Sequence, residues 1–278
     1  MSILAETSLI LLTSLYTGKP CTEVFSELAL ERMTKKNRLE ERAYVEELSS
    51  HACMTSNPDL VWQIAMVETG FQFRIIRFNR GKGVVWRGAK AQRYLDTLKA
   101  SRRATNLDIG VMQVNWYWHR SFFDNDPVAM MRPKNQIRYL VQKMGPLLSR
   151  ICKDKWLGCY HNPANGPRAK KYNRSVKAAR KVLKDSTLAL IEDSLSSEDE
   201  SRYLSQKQVL DFFDAARYQG HPRLSYRNIG SSSEKRLLAT RDGHEGPSQD
   251  HFKKATFESS AQRFLQKILD ESSHRKTL

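Results

Sequence analysis

The sequence lacks several patterns that would assign a function directly. It contains no internal repeat, no helix-turn-helix and no RNA-recognition signature. The glycine pair in Gly81–Gly83 lacks the second half of a phosphate-binding P-loop. The cysteines follow no usual zinc-ligand spacing; they are Cys21, Cys53, Cys152 and Cys159. These absences argue against a repeat array, and the sequence predicts neither a metal site nor a bound cofactor.

Negative charge is also scarce. Lys and Arg number 46 against 30 for Asp and Glu, so the formal net charge is +16 and the pI is near 9.8. Basic residues are densest over residues 168–184. This balance indicates an anionic partner, such as nucleic acid, peptidoglycan with its peptide-stem carboxylates, or an anionic membrane face. A basic helix face that is simply solvated is the alternative.

The amino terminus carries a short apolar run, Leu9–Leu12, which is too short to span a bilayer. No Lys or Arg precedes it, and Glu6 stands where an export signal has positive charge. Residues 1–20 therefore have three interpretations: a divergent signal peptide, a surface-docking helix or a first core helix. The cysteines leave a similar choice, because two disulfides in an oxidising compartment can pair in three ways.

The segment Val61–Gly70 is predicted to be a helix with one buried face. Asn57 is a suitable N-cap, Pro58 suits the first helical position, and Gly70 is a stop signal. Apolar residues recur at helical spacing, at Leu60, Ile64, Val67 and Phe71. Glu68 stands at the margin of this face, so we expect partial burial to raise its pKa. The alternative is a glutamate at a helix end that turns out to water.

A β-hairpin is predicted after this helix. Phe73–Phe78 and Val84–Trp86 are rich in residues that favour strands, and a glycine-containing turn separates them. A second helix is predicted over residues 88–100. Met112 and Gln113 are expected to begin a further short helix.

Three motifs in order carry a family resemblance. They are Glu68-Thr-Gly-Phe71, Gly110-Val-Met-Gln-Val-Asn115 and Gly158-Cys-Tyr-His161, and Tyr172 and Val176 follow them. Together they resemble the soluble lytic transglycosylase (SLT) domain, whose pattern is Glu-Ser-x-Phe, Gly-Leu-Met-Gln and Ala-Tyr-Asn-x-Gly. The resemblance covers roughly residues 45–184. Within the family, the chain is most similar to the dedicated enzymes of secretion, conjugation and pilus machines.

The resemblance implies a mainly α, lysozyme-like (α+β) domain with a small β-hairpin, and it implies Glu68 as the catalytic residue. His161 stands where the family has Asn, so its role stays open. The Gln113 amide can donate and accept hydrogen bonds, which suits an acetamido sugar. Trp86 can line a sugar-binding groove, and the alternative interpretation is that its ring belongs to the core. The substrate-binding residues indicated are Met112, Gln113, Tyr160, Thr69, Asn115 and Trp86.

The implied activity is cleavage of the MurNAc–GlcNAc β-1,4 bond of peptidoglycan with formation of 1,6-anhydro-MurNAc. Ordinary glycosidases use two carboxylates, whereas this family uses one. Asp108 is a candidate second carboxylate, and if it positions a water the protein would hydrolyse the bond as a goose-type lysozyme does. A non-catalytic peptidoglycan-binding or assembly module is the other alternative. Nucleic acid is not an expected partner, because the net charge is the only feature of the sequence that favours it.

The predicted organisation has three parts. Residues 1–20 are a signal peptide or N-terminal helix, and residues 21–184 are the transglycosylase-like domain. Residues 185–278 form a polar, partly disordered extension with short amphipathic helices at 203–218 and 255–270. We expect these two helices to dock to components of a secretion or conjugation machine. An enzyme of this kind is expected in the periplasm or attached to the cell envelope.

Overall fold

The structure is a computed structural model that describes residues 8–79, 83–152, 156–161 and 166–195. The described part is mainly helical and contains a small antiparallel sheet, as the sequence predicts. The chain beyond residue 195, with both predicted helices of the extension, lies outside the described residues.

Helices make up most of this part. They are α1 (Leu9–Thr17), α2 (Cys21–Glu31), α3 (Lys35–Cys53), α4 (Pro58–Thr69), α5 (Gly88–Ser101), α6 (Trp116–His119), α7 (Pro127–Met131), α8 (Pro133–Tyr139), α9 (Gly145–Cys152), α10 (Trp156–His161) and α11 (Pro167–Leu195). A 3-10 turn at Arg120–Phe123 follows α6, and a π-helical turn at Leu140–Met144 joins α8 to α9. Helix α4 packs against α1, α2, α3 and α11, so it lies at the centre of the helical layer.

Helix α4 begins and ends where the sequence predicts. The Asn57 side chain accepts a hydrogen bond from the Leu60 amide at 3.0 Å. Gly70 ends the helix with φ +59°, a left-handed conformation that glycine adopts without a steric penalty. Its largest buried side chains are Leu60, Trp62 and Ile64, and burying an aliphatic side chain of the size of Leu or Ile stabilises the fold by about 1.5–3 kcal/mol. Because both ends are fixed locally and the middle is buried, the position of Glu68 in the last turn is fixed too.

The sheet, within the described residues, contains β1 (Ile75–Phe78), β2 (Val85–Arg87), β3 (Leu107–Ile109) and β4 (Val114–Asn115). All neighbouring strands are antiparallel, in the order β2-β1-β3-β4. The predicted hairpin is confirmed as β1–β2, in which Ile76 pairs with Trp86. The predicted helix start at Met112 and Gln113 is wrong. Residues 110–113 form the turn of a second hairpin, β3–β4, because the left-handed backbone of Gly110 and Gln113 cannot continue a helix.

The apolar run near the amino terminus forms a core helix. Leu9 and Ile10 of α1 are buried among residues of the main core. The Asp59 carboxylate, in the first turn of α4, accepts hydrogen bonds from the Leu9 amide at 2.7 Å and the Ile10 amide at 3.1 Å. It therefore satisfies the first free N–H groups of α1 from outside that helix. None of the described helices combines the length and apolar character needed to cross a membrane.

Two disulfides select one of the three pairings that the sequence leaves open. Cys21 bonds to Cys53 and ties the start of α2 to the end of α3. Cys152 bonds to Cys159 and ties the end of α9 to α10. The second bond closes a short loop, since its cysteines are seven positions apart in sequence.

Helix α11 continues past the predicted domain boundary at residue 184 and ends at Leu195. Its inner face is apolar and buried, with Ala169, Tyr172, Val176, Ala179 and Leu183. Its outer face is basic and exposed, with Arg168, Lys170, Lys171, Arg174, Lys177 and Lys181. The helix thus covers one side of α4 and brings Tyr172 toward Glu68.

Candidate active site

Glu68 lies in a cleft and is protected from bulk water. It occupies the last turn of α4 and lines a cleft of about 580 Å³. Burial, together with the smaller effect of the nearby Asp108 charge, raises the pKa of Glu68 to about 7. The Tyr172 hydroxyl and the Arg77 guanidinium oppose this rise. The alternative interpretation, in which the Glu68 side chain turns out to water, is therefore wrong.

Two chemically different groups of residues line the cleft, and we call them its polar wall and its apolar wall. The polar wall combines carboxyl, amide and guanidinium groups, from Glu68, Arg77, Asn79, Asp108, Gln113 and Asn115. The apolar wall contains Trp118, Met144, Leu147, Leu148, Ile151 and the disulfide Cys152–Cys159. A ligand that fills this cleft therefore meets both hydrogen-bonding groups and apolar side chains.

Asp108 is held within the polar wall by two amides. The side-chain nitrogens of Asn79 and Asn115 each donate to the same carboxylate oxygen of Asp108 at 2.8 Å. The Asn115 amide also donates to the Asn106 side-chain oxygen at 2.9 Å. Burial raises the pKa of Asp108, while these two amides and Arg77 oppose the rise. The carboxyl of Asp108 is thus fixed in the same cleft as that of Glu68.

The turn between β3 and β4 is built around Gly110. Gly110 has φ +76°, and a Cβ atom there would lie 2.1 Å from the Gln136 amide nitrogen. Gln136 cannot move aside easily, because it is fully buried and its side chain makes three hydrogen bonds. It donates to the carbonyls of Ile109 at 2.6 Å and Met130 at 2.9 Å, and it accepts from the Met112 amide at 2.9 Å. Only glycine fits this position.

Gln113 follows in a strained conformation and faces the cleft. Its φ is +49°, which is uncommon for a residue with a side chain and frequent at functional sites. Its amide nitrogen donates to the Gly110 carbonyl at 2.8 Å. Its amide oxygen is buried and accepts no hydrogen bond from any of the described residues. A hydrogen-bond acceptor without a donor among the described residues, at a residue that lines the cleft, is suited to a ligand that supplies an N–H or O–H group.

Met112 and Tyr160 are joined, but through the backbone of Met112. The Met112 side chain is fully buried, and the Tyr160 hydroxyl donates to the Met112 carbonyl at 2.5 Å. Tyr160 lines the cleft, and burial together with the neighbouring Glu68 charge raises its pKa well above 10. Met112 does not belong to the described residues that line the cleft. It supports the site as a fixed backbone acceptor.

Tyr172 and His161 are neighbours in the site, and His161 lines the cleft. Their rings stack with centroids 5.0 Å apart and planes 2° from parallel. The buried Tyr172 hydroxyl interacts electrostatically with the Glu68 carboxyl, yet it forms no hydrogen bond of normal geometry within the described part of the chain. Burial and Arg77 lower the pKa of His161, so this residue is mainly neutral at pH 7.

Thr69 and Trp86 lie outside the cleft lining. The Thr69 hydroxyl donates to the carbonyls of Ala65 at 3.2 Å and Val111 at 3.1 Å, so it links the end of α4 to the β3–β4 turn. The Trp86 ring packs edge-on against Tyr94 at 5.2 Å, with the Lys90 ammonium 4.4 Å from its centroid. Neither is among the described residues that line the cleft.

The sequence did not lead us to three cleft residues. Arg77 lies opposite Asp108 in the register of β1 and β3, but the strand containing Asp108 was not predicted. For Asn79 the sequence predicts only a position in a turn. Trp118 stands within a run of aromatic residues that carries no signal of which ring faces outward. A prediction that β3 pairs with β1 would have placed Arg77 and Asn79 beside Asp108.

Comparison with known proteins finds no match: no family model, no curated protein and no solved structure matches the chain. Among the described residues, no group of three or more His, Cys, Asp or Glu side chains could hold a metal ion. The site is therefore interpreted from its own geometry and chemistry.

Proposed function

We propose that the protein is a peptidoglycan lytic transglycosylase of the SLT family with a lysozyme-like fold. One observation carries the proposal: Glu68 is half-buried in a cleft and its pKa is about 7. A carboxyl with such a pKa holds a proton near neutral pH and can give it to a leaving oxygen. The order of the three sequence motifs supports the same assignment.

In the proposed reaction Glu68 donates its proton to the glycosidic oxygen between MurNAc and GlcNAc. The C1–O bond breaks, and GlcNAc leaves with a 4-hydroxyl group. The substrate's own N-acetyl carbonyl stabilises the cationic C1 centre. The Glu68 carboxylate then takes the proton of the MurNAc C6 hydroxyl, whose oxygen bonds to C1 and closes the 1,6-anhydro ring. No water is consumed, and Glu68 is protonated again. General acid–base catalysis of this kind accelerates a reaction roughly 10²–10⁴-fold.

The polar wall supports an N-acetylated substrate. The buried Gln113 amide oxygen accepts no hydrogen bond from the described residues, and an acetamido N–H would supply one. Tyr160 and the Asn115 amide line the same cleft. Burial is the main cause of the raised Glu68 pKa, so the cleft itself favours the protonated acid near neutral pH.

The second candidate function is hydrolysis of the same bond. Asp108 lines the same cleft as Glu68 and is close enough for its charge to raise the Glu68 pKa. A second carboxylate in that position suits activation of a water, as in inverting glycosidases. The product would then carry a reducing end instead of an anhydro ring.

The cell envelope is the proposed location, because the substrate is there. Disulfides persist mainly in oxidising compartments, and the Cys21–Cys53 and Cys152–Cys159 bonds support such a location. We also propose that the protein serves a secretion, conjugation or pilus machine through residues 185–278. This part of the proposal rests on the family resemblance and on the amphipathic patterns of that segment.

The deciding experiment is digestion of purified peptidoglycan, with the soluble products identified by mass spectrometry. Wild-type protein should release anhydro-muropeptides, and Glu68→Gln should release none. Glu46→Gln is the matched control, because Glu46 is an exposed glutamate in a surface ion pair with Arg42 and its loss should leave the products unchanged.

Each other result has a separate meaning. Reducing-end products that disappear in Asp108→Asn would replace transglycosylation by hydrolysis. Well-folded wild-type protein that binds sacculi and releases nothing would replace the enzyme by a non-catalytic wall-binding module. Equal activity of Glu68→Gln and wild type would remove Glu68 from the mechanism.

A further inference from the structure

Trp118 is the most exposed aromatic side chain in the described structure, and it lines the cleft. Its exposed fraction is 70%, and Ile151, which lines the same cleft, is 63% exposed. Burying so much apolar surface would be favourable, since each square ångström removed from water contributes about 25 cal/mol. The fold itself leaves both side chains uncovered at a place where a ligand would lie.

The position of Trp118 is set by the polar wall. The Asn115 side chain caps α6 by accepting a hydrogen bond from the Trp118 amide at 3.3 Å. The same side chain donates to the Asp108 carboxylate at 2.8 Å. Trp116, two residues earlier, is buried and donates its indole N–H to the Arg103 carbonyl at 3.2 Å. Trp118 is thus carried by an anchored helix and held in register with the carboxyl groups.

We propose that Trp118, with Ile151 and Leu147, forms a sugar-stacking subsite that binds the apolar face of a pyranose ring in a β-1,4-linked N-acetylated glycan. A ligand in this cleft meets both apolar side chains and hydrogen-bonding groups. A pyranose ring suits both, because its axial C–H bonds make its faces apolar and its equatorial substituents project from the rim. This subsite rests on the proposed function and assigns it a specificity-determining residue.

The neighbouring residue provides a matched control. Tyr117 is also exposed, at 42%, and its ring meets that of Trp118 edge-on at 4.8 Å. Tyr117 is not among the described residues that line the cleft. Loss of either ring removes an exposed aromatic from α6, but only the loss of Trp118 removes one from the cleft.

The test is binding of chitotetraose, a β-1,4-linked tetramer of N-acetylglucosamine without peptide stems, measured by isothermal titration calorimetry. Each variant is made in the Glu68→Gln background so that the probe is not consumed. We expect Trp118→Ala to raise the dissociation constant roughly tenfold. Trp118→Phe should retain most of the affinity, and Tyr117→Ala should leave it unchanged. Melting temperatures should be equal, since both side chains are exposed.

Two results would overturn the subsite. One is unchanged affinity in Trp118→Ala, or no binding of chitotetraose by the Glu68→Gln parent. The other is an equal loss in Tyr117→Ala, which would assign α6 to contacts outside the cleft, such as a protein partner. The proposed function is judged separately by digestion of peptidoglycan with wild-type protein, so its failure is distinguishable from that of the subsite.

Discussion

The Tyr160 hydroxyl and the Met112 carbonyl oxygen are 2.5 Å apart, although the two residues are 48 positions apart in sequence. This hydrogen bond joins α10 to the turn between β3 and β4. The residue before Tyr160 is Cys159, which is bonded to Cys152 at the end of α9. This hydrogen bond therefore links the disulfide-bonded helices α9 and α10 to the β3–β4 turn.

Replacing this contact should affect catalysis more than stability. We expect Tyr160→Phe to reduce the free energy of unfolding by about 1 kcal/mol, because one hydrogen bond is lost. The rate of peptidoglycan digestion should fall roughly tenfold or more, since small displacements of catalytic groups are costly. Urea unfolding and muropeptide release measure the two effects. Tyr117→Phe is the control, and an unchanged rate in Tyr160→Phe would contradict the linking role.

The pH dependence of activity should follow Glu68. Its pKa of about 7 means that the acid form disappears as the pH rises above neutrality. We expect the initial rate of digestion to fall about tenfold for each pH unit well above 7. Rates between pH 5 and 9 on the same sacculus preparation measure this. A rate that stays constant to pH 9 would show that proton donation by Glu68 does not limit the reaction.

The same carboxyl should make folding weaker at neutral pH. The folded protein keeps the Glu68 proton up to about pH 7, whereas the unfolded chain releases it near 4.5. Between these values the folded state binds more protons, so stability falls as the pH rises. Glu68→Gln should therefore be more stable than wild type at pH 7, by on the order of 2 kcal/mol, and the difference should vanish near pH 4. Denaturant unfolding at both pH values checks this.

The two disulfides should have different functions. Cys21–Cys53 spans 32 residues and Cys152–Cys159 spans 7, so by loop entropy they contribute about 4 and about 2.5 kcal/mol to stability. Both cysteines of the shorter bond line the cleft. The paired Ser substitution at 152 and 159 should therefore reduce digestion more, and the pair at 21 and 53 should lower the melting temperature more. The reverse ranking would contradict the assignment of the shorter bond to the cleft wall.

Helix α1 should behave as part of the core. Ile10 is fully buried and Leu15, on the same helix, is 50% exposed. We expect Ile10→Ala to lower the free energy of unfolding by about 2–4 kcal/mol and Leu15→Ala by less than about 0.5 kcal/mol. Urea unfolding of both variants distinguishes a core helix from a peripheral one. Similar small effects would place α1 outside the folded domain.

Local sequence predicted the part of the site that depends on local rules. Asn57 and Gly70 identified both ends of α4, because capping and left-handed termination involve neighbouring residues only. The apolar spacing along α4 placed Glu68 at the edge of a buried face. The prediction for Met112 and Gln113 failed because a turn, not a helix, satisfies the buried amide of Gln136, which is distant in sequence.

The sequence by itself determined where α4 lies, that Glu68 stands at the margin of its apolar face, and which residues favour the first hairpin. Only the tertiary structure decided the pairing of the cysteines, the burial of α1 against Asp59, and the opposition of Arg77 to Asp108 across two strands. Periodicity and capping act over a few residues, so they can be seen in the sequence. The proximity of Glu68 to Asp108, Arg77 and Tyr172 arises from packing between distant parts of the sequence, as does the lining of the cleft, and no local pattern encodes that proximity.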